Sequence, residues 1–207
     1  MPCARRRFFI PFTPPFSGEG QGLHVQPLNQ RKEREMNKKV SEIRIYVACL
    51  AAYNSGILHG AWIDACQGVD NIWEDVEAML KASPIEEAEE WAIHDYEGFA
   101  GASLSEYSSF DTVVELADFI KEVGELGGEL VSYFGNVGSA KEAYNDHYAG
   151  EYNCVADFAQ QITEETSNIP KNLEFYIDYE RMARDLEIND VLALEVKSGE
   201  VHIFWNH

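Results

Sequence analysis

Carboxylates are the residues of this sequence with the most evident chemical potential, and they are densest over residues 86–97, EEAEEWAIHDYE. A metal site, a carboxylate catalyst, a strongly solvated surface and an imitation of a polyanion would each use such a segment. A second acidic series recurs at spacings of three and four residues and comprises Glu115, Asp118, Glu122 and Glu125. Because such spacings bring side chains onto one helical face, the series predicts an acidic stripe.

Metal-binding motifs are absent from the sequence. A calcium-binding loop needs Asp or Asn at alternate positions, a central glycine and a closing glutamate, and no window supplies them. No H-E-x-x-H motif is present, and the four cysteines lack zinc-like spacing. His94 with Asp95, and His147 with Asp146, could be ligands, but single histidines beside acids are more often structural. We therefore predict no metal site and no cofactor.

Catalytic motifs are equally weak. The many carboxylates offer numerous glycosidase-like pairs, but no feature of the sequence singles out two of them. No G-x-S-x-G motif is present, and no cysteine lies in a recognisable basic setting that would activate its thiol. An enzyme also needs only a few acids in a cleft, which leaves the remainder unexplained. We therefore predict that the protein is not an enzyme and has no catalytic residues.

The charge is large and unevenly distributed. Residues 1–40 hold eight basic and three acidic residues, whereas residues 41–207 hold eight basic and 33 acidic ones, a net charge of −25. Small domains commonly carry a net charge of about 2–8 in magnitude. Self-repulsion on this scale costs stability, so a solvated surface explains the kind of charge but not its amount. Direct nucleic-acid binding is disfavoured because the charge has the wrong sign.

The length of the apolar runs and the arrangement of the cysteines predict where in the cell the protein is found. No window approaches the roughly eighteen uninterrupted apolar residues that span a membrane. The cysteines form no disulfide framework. We expect a cytoplasmic protein that does not bind membranes.

The elements that position the acids begin after an unusual N-terminal segment. Residues 1–40 are rich in Pro, Gly and Arg without regular periodicity, which predicts a disordered extension or a non-native start, with Met36 as the natural start. Residues 41–103 predict an N-terminal α/β domain. Its strand over 43–50 turns back through 54–56 into a second strand, a helix over 70–82 follows with Asp70 as N-cap, and a strand covers 91–96.

Two further domains are predicted. Residues 104–148 read as a central helical domain, in which a capping box of Ser139 and Glu142 begins the last helix. Residues 149–207 read as a C-terminal α/β domain with two helices and a closing hairpin that turns at 197–199. The fold class is therefore α+β, an elongated chain of three small domains. The large aromatic side chains expected in the cores are Trp62, Trp73, Trp91, Phe119 and Trp205.

Imitation of DNA accounts best for the charge. Duplex DNA carries one negative charge per about 1.7 Å of axis. The acidic helical series steps by roughly 4.5–6 Å at the rise of a helix. Because the two spacings are of the same order, an acidic helix can present a DNA-binding groove with a row of anions.

Longer stretches carry a resemblance to a known family. Residues 45–65, IYVACLAAYNSGILHGAWIDA, and 89–99, EEWAIHDYEGF, resemble the ArdA family of antirestriction proteins. Residues 133–166, YFGNVGSAKEAYNDHYAGEYNCVADFAQQITEET, and 177–191, IDYERMARDLEINDV, resemble the same family in the same order. Residues 1–35 have no counterpart in the family pattern.

The resemblance implies a cytoplasmic, non-enzymatic protein carried by mobile genetic elements. Family members are elongated three-domain homodimers that imitate bent B-form DNA and occupy the DNA-binding groove of type I restriction–modification enzymes. In the family the C-terminal domain forms the dimer, which places the expected interface within 149–207. The alternative is an acidic adaptor for another basic DNA-associated protein, which would not compete with DNA for its target.

The partner-binding residues are then surface carboxylates rather than a compact site. The candidates are Glu74, Asp75, Glu77, Glu86, Glu87, Glu89, Glu90, Glu106, Asp111, Glu115, Asp118, Glu122, Glu125, Glu129, Glu164 and Glu165.

Overall fold

Two three-stranded antiparallel sheets and seven α-helices make up residues 42–206, the part of the chain that the computed structural model describes. The strands are β1 (Arg44–Cys49), β2 (Gly60–Asp64), β3 (Trp91–Glu97), β4 (Tyr148–Tyr152), β5 (Val191–Lys197) and β6 (Glu200–Trp205). The α-helices are α1 (Leu50–Asn54), α2 (Val69–Lys81), α3 (Phe110–Val123), α4 (Glu125–Phe134), α5 (Val137–Glu142), α6 (Val155–Thr166) and α7 (Tyr179–Asn189). A π-helical turn (Ala143–His147) and a 3-10 turn (Glu174–Tyr176) complete the elements. The predicted α+β class is confirmed.

The first sheet has the strand order β2-β1-β3. Its central strand places Ile45 opposite Ile63 and Val47 opposite Ile93, and all four side chains are buried. Alternate apolar residues fit a strand of which one face packs against a core. The predicted pairing of the first two strands is confirmed, although α1 occupies part of their connection.

Helix α2 begins earlier than the sequence predicts. Gly68, at a positive φ of 88°, is the N-cap, so the assignment of Asp70 as N-cap is wrong. Asp70 instead lies in the first helical turn, where a carboxylate interacts favourably with the helix dipole. The helix ends at Lys81, just before the predicted Ser83–Pro84 break, because the residue before a proline disfavours helical geometry.

A glycine separates the two central helices. Ser109 caps α3 by accepting a hydrogen bond from the backbone N–H of Thr112 at 3.3 Å. Gly124 then takes a φ of 82°, which glycine tolerates without strain, and the chain starts α4 in a new direction. The acidic series Glu115 to Glu125 is therefore not continuous on one helix as predicted, because Glu125 begins α4.

The next helix is capped by a residue that the sequence pattern did not favour. Asn136 accepts a hydrogen bond from the backbone N–H of Ser139 at 2.7 Å, so the predicted capping box of Ser139 and Glu142 is wrong. Helix α5 continues through the π-helical turn directly into β4. This strand was not predicted, since the residues before it have helical periodicity.

The second sheet has the order β4-β6-β5, and each of its faces packs against a different core. The predicted closing hairpin of β5 and β6 is confirmed, with Gly199 at a φ of 76° in its turn. On β6, Phe204 belongs to the core beneath α2, α3 and α4, whereas Ile203 packs with α6 and α7. The alternation of side chains along one strand thus links both cores.

Residues 42–206 belong to one compact unit, and the division into domains at 103 and 148 stays a prediction. The predicted extension over residues 1–40 lies outside the described residues. Among the described residues, no helix combines the length and the apolar character needed to cross a membrane.

Candidate functional site

Carboxylates cover the described surface. Every Asp and Glu in residues 42–206 is exposed except Asp157 and Glu200, which are half-buried. Four of the eight basic residues in this range form ion pairs with acids, and these pairs are Arg44–Glu97, Lys81–Glu77, Lys141–Glu115 and Lys197–Glu125. Most of the negative charge is therefore left without a neutralising partner among the described residues.

Helix α3 carries an unbroken acidic stripe. Its buried side is formed by Phe110, Val113, Leu116, Ala117, Phe119 and Ile120. The exposed carboxylates recur at spacings of four, three and four residues and are Asp111, Glu115, Asp118 and Glu122. At about 1.5 Å of rise per residue the stripe covers about 16 Å, on the side of the helix opposite the core.

Helix α2 and the segment after it present further acids. The exposed carboxylates of α2 are Glu74, Asp75 and Glu77, and the core side is formed by Ile72, Val76 and Met79. The segment before β3 exposes Glu86, Glu87, Glu89 and Glu90. Its backbone is held in place because the N–H of Leu50 donates to the carbonyl of Glu90 at 3.0 Å.

Three aromatic rings join these acidic segments. The Phe110 ring at the start of α3 stacks on Trp91 of β3 with centroids 4.3 Å apart, and Trp73 of α2 contacts both rings edge-on. We call the carboxylates of α2, of residues 86–90 and of α3 the acidic region. The expectation that Trp62 and Trp73 are core residues is wrong, since they are 40% and 43% exposed.

The other predicted carboxylates lie elsewhere. Glu106 precedes α3 and lies 3.8 Å from Nε2 of His94, while Glu125 and Glu129 are exposed on α4. Near the end of α6, Glu164 and Glu165 each accept a hydrogen bond from the glutamine one turn earlier, at 2.6 Å and 2.9 Å. Helix α6 packs in the second core, so the structure does not bring this pair together with the acidic region.

Two shifted pKa values reflect local burial and negative charge. Burial, followed by the charge of Asp64, raises the pKa of the Cys66 thiol, and Asp118 of α3 adds to the effect. Lys121 of the same helix lowers this pKa and outweighs the contribution of Asp118. Burial, followed by the charge of Glu151, raises the pKa of Tyr148 to about 12.

Several exposed carboxylates are missing from the predicted set. Those of α7 are Glu180, Asp185 and Glu187, and the exposed cations Arg181 and Arg184 lie among them. The amphipathic pattern of this helix could have identified them as surface acids. Helix α7 thus exposes three acids and two arginines, whereas α3 exposes four acids and one cation, Lys121.

Comparison with known protein families gives a match that is consistent with the acidic surface. The family model described as antirestriction protein (ArdA) matches residues 45–198, which include the whole acidic region and most of both sheets. No curated protein matches the chain. Antirestriction proteins act against restriction–modification enzymes, whose substrate is a polyanion. The resemblance is confirmed, and the chain belongs to the ArdA family of antirestriction proteins.

Proposed function

We propose that this protein inhibits type I restriction–modification enzymes by occupying their DNA-binding groove with carboxylates in place of DNA phosphates. The observation that carries the proposal is the acidic stripe of α3, which lies opposite a buried face on a helix that contacts α2 and β3 through the ring of Phe110. The protein acts by binding and performs no catalysis.

The spacing of the carboxylates on α3 supports imitation of DNA, but α3 alone does not reach the charge density of a DNA strand. Consecutive carboxylates on α3 are separated by about 4.5–6 Å of helical rise. Phosphates of one DNA strand recur about every 3.4 Å along the axis. Helix α3 alone is therefore less dense in charge than one strand, and Glu115 is partly neutralised by Lys141 at 2.9 Å. The neighbouring acids of α2 and residues 86–90 supply the remaining charge.

Rigidity makes such an array effective. The carboxylates project from helices whose opposite faces are buried, and the aromatic contacts of Trp73, Trp91 and Phe110 connect the segments. A preorganised array loses little conformational entropy on binding. It also offers no base edges, so its affinity does not depend on the sequence that the enzyme recognises.

We further propose that two chains associate through residues 149–207. Phe175 and Tyr176 in the 3-10 turn are 92% and 84% exposed, and Ile188 of α7 is 77% exposed. A contiguous exposed apolar patch marks an interaction surface, and Phe175 and Tyr176 are neighbours in the chain. A two-fold dimer would cover the same surface on both chains and would extend the anionic array.

A competition experiment tests the inhibitor proposal. The full chain is titrated into a type I restriction–modification enzyme bound to labelled duplex DNA, and its direct affinity for the enzyme is measured at about 50 mM and about 200 mM salt. We expect displacement of the DNA, together with an affinity for the chain that falls at least about tenfold at the higher salt because charge pairs are screened.

Paired charge variants locate the contact. The triple variant Asp111→Asn, Asp118→Asn, Glu122→Gln removes three charges from α3. The control Glu180→Gln, Asp185→Asn, Glu187→Gln removes three from α7, where the cations already interrupt the array. We expect the α3 variant to weaken binding about tenfold or more and the α7 variant to weaken it much less.

Two results would count against the proposal. Equal losses from both triple variants would mean that total charge, not the acidic region, drives binding. Simultaneous binding of the chain and DNA would exclude occupation of the groove and would favour an acidic adaptor that contacts another basic surface.

A further inference from the structure

A buried histidine on β6 has one ring nitrogen without a partner. His202 is only 7% exposed, and its Nε2 atom makes no hydrogen bond within the described residues. Its other ring nitrogen, Nδ1, lies 2.8 Å from the hydroxyl of Tyr148. Buried polar atoms are almost always satisfied, so the Nε2 atom of His202 requires an explanation.

Two carboxylates lie beside this nitrogen. Glu151 on β4 is directly opposite His202 in the sheet register, and Glu200 precedes it by two residues on β6, so all three lie on one face of the sheet. One ligand atom from each residue falls within 4.8 Å of those of the other two. Glu200 Oε1 is 3.5 Å from Nε2, in a geometry that makes no hydrogen bond.

Two tautomers of His202 fit the hydrogen bond to Tyr148, and the tautomer with its proton on Nδ1 leaves Nε2 able to bind a metal ion. When the Nδ1–H group donates to the Tyr148 oxygen, Nε2 presents a lone pair to two carboxylates. Three electron-rich atoms then face one another with no positive charge between them, which is electrostatically unfavourable. A histidine that binds a metal characteristically donates its other N–H to such a partner, which fixes the tautomer and the ring orientation.

We propose that His202, Glu151 and Glu200 bind a divalent transition-metal ion of the Zn²⁺ type, with water completing its coordination. An imidazole nitrogen with two carboxylate oxygens suits Zn²⁺ better than Mg²⁺ or Ca²⁺, which prefer oxygen ligands alone. Coordination uses the Nε2 lone pair and neutralises the two carboxylates. The bound ion would fasten β4 to β6 at the edge of the second sheet.

The site needs only a small adjustment to close around an ion. Two ligands at about 2.1 Å from one ion are at most about 4.2 Å apart, so the carboxylates must approach slightly. Glu151 is exposed and free to rotate, and Glu200 is half-buried. The nearby cation Lys197 is held by Glu125 at 2.6 Å, which leaves Glu200 available to the metal.

Metal titration of the full chain tests the proposal. The protein is stripped with a chelator and titrated with Zn²⁺ in excess Mg²⁺, which occupies weak sites among the many surface carboxylates. We expect one Zn²⁺ per chain, bound at least about tenfold more tightly by the wild type than by the Glu151→Gln variant. Co²⁺ in place of Zn²⁺ should give visible absorption bands that the variant lacks.

Matched variants exclude simpler explanations. Glu151 is exposed, so Glu151→Gln should fold normally, and circular dichroism checks this. Glu187→Gln removes the same charge from α7, away from the three ligands, and should leave the tight binding unchanged. Equal Zn²⁺ affinity in wild type and Glu151→Gln, or only weak binding in proportion to total charge, would overturn the proposal. Absence of any tight Zn²⁺ binding would overturn it as well.

Discussion

At the scale of single residues, a glycine sets how closely α4 approaches the turn that follows β3. Gly128 of α4 is buried against Ala100, and a Cβ atom added to it would lie 2.6 Å from the Cβ of Ala100 and 2.1 Å from the Ala100 carbonyl oxygen. The neighbouring atoms include backbone, which cannot rotate out of the way. Gly128 is therefore needed for its lack of a side chain rather than for an unusual backbone angle.

We predict that Gly128→Ala lowers the free energy of unfolding by about 1–3 kcal/mol, because the extra methyl group overpacks this contact. Urea denaturation measures the change. Gly138→Ala in α5 is the matched control, since its Cβ would meet only Asn136 Oδ1 at 3.4 Å. That substitution should be neutral or stabilise the helix by up to about 1 kcal/mol. Equal effects of the two substitutions would contradict the packing described for Gly128.

At the scale of elements, the structure and the sequence-based prediction differ in which residue caps α5. The Ser-x-x-Glu spacing predicts Ser139 as the capping residue, whereas the structure assigns this role to Asn136. We predict that Asn136→Ala costs about 1 kcal/mol of stability, because the Ser139 N–H loses its acceptor. Ser139→Ala should cost less. Urea denaturation measures the loss of stability in both variants. A larger loss for Ser139→Ala would contradict Asn136 as the N-cap and would favour the capping box of Ser139 and Glu142.

Elements with clear periodicity were predictable, and those determined by distant contacts were not. The alternation in β1 and the turn before β6 identified both strands, and the spacing of Glu115, Asp118 and Glu122 identified a helix with an acidic side. Strand β4 was missed because it pairs with β6, whose residues are far away in the sequence. The contact of Glu151 with His202 depends on the same strand pairing, whereas the ion pair of Glu125 with Lys197 depends on the packing of α4 against β5.

At the scale of the whole molecule, the net charge of −25 on residues 41–207 opposes folding. We predict that added NaCl raises the free energy of unfolding, because screening weakens repulsion between the exposed carboxylates. Urea denaturation at about 10 mM and about 150 mM NaCl measures this. The same salt should weaken binding to the restriction enzyme, so the two effects have opposite signs. Stability that is independent of salt would mean that the acids are already neutralised.

Association of two chains provides a second test at this scale. We predict that Phe175→Glu raises the dimer dissociation constant at least about tenfold, since it places a charge in an apolar contact. Sedimentation equilibrium measures the constant. Leu58→Glu is the matched control because Leu58 is as exposed, at 87%, but lies between β1 and β2. If only Leu58→Glu weakened the dimer, the interface would have to lie outside residues 149–207.

The contact between Trp73 and Trp91 gives the acidic region a built-in optical reporter. Their ring centroids are 5.6 Å apart and the ring planes cross at 84°. Two indole chromophores this close couple their ultraviolet transitions and produce paired circular dichroism bands of opposite sign. Because Trp73 is partly exposed among the carboxylates of α2, a partner that covers this region should change both the bands and the fluorescence. Docking could therefore be followed with light alone, on the unlabelled protein.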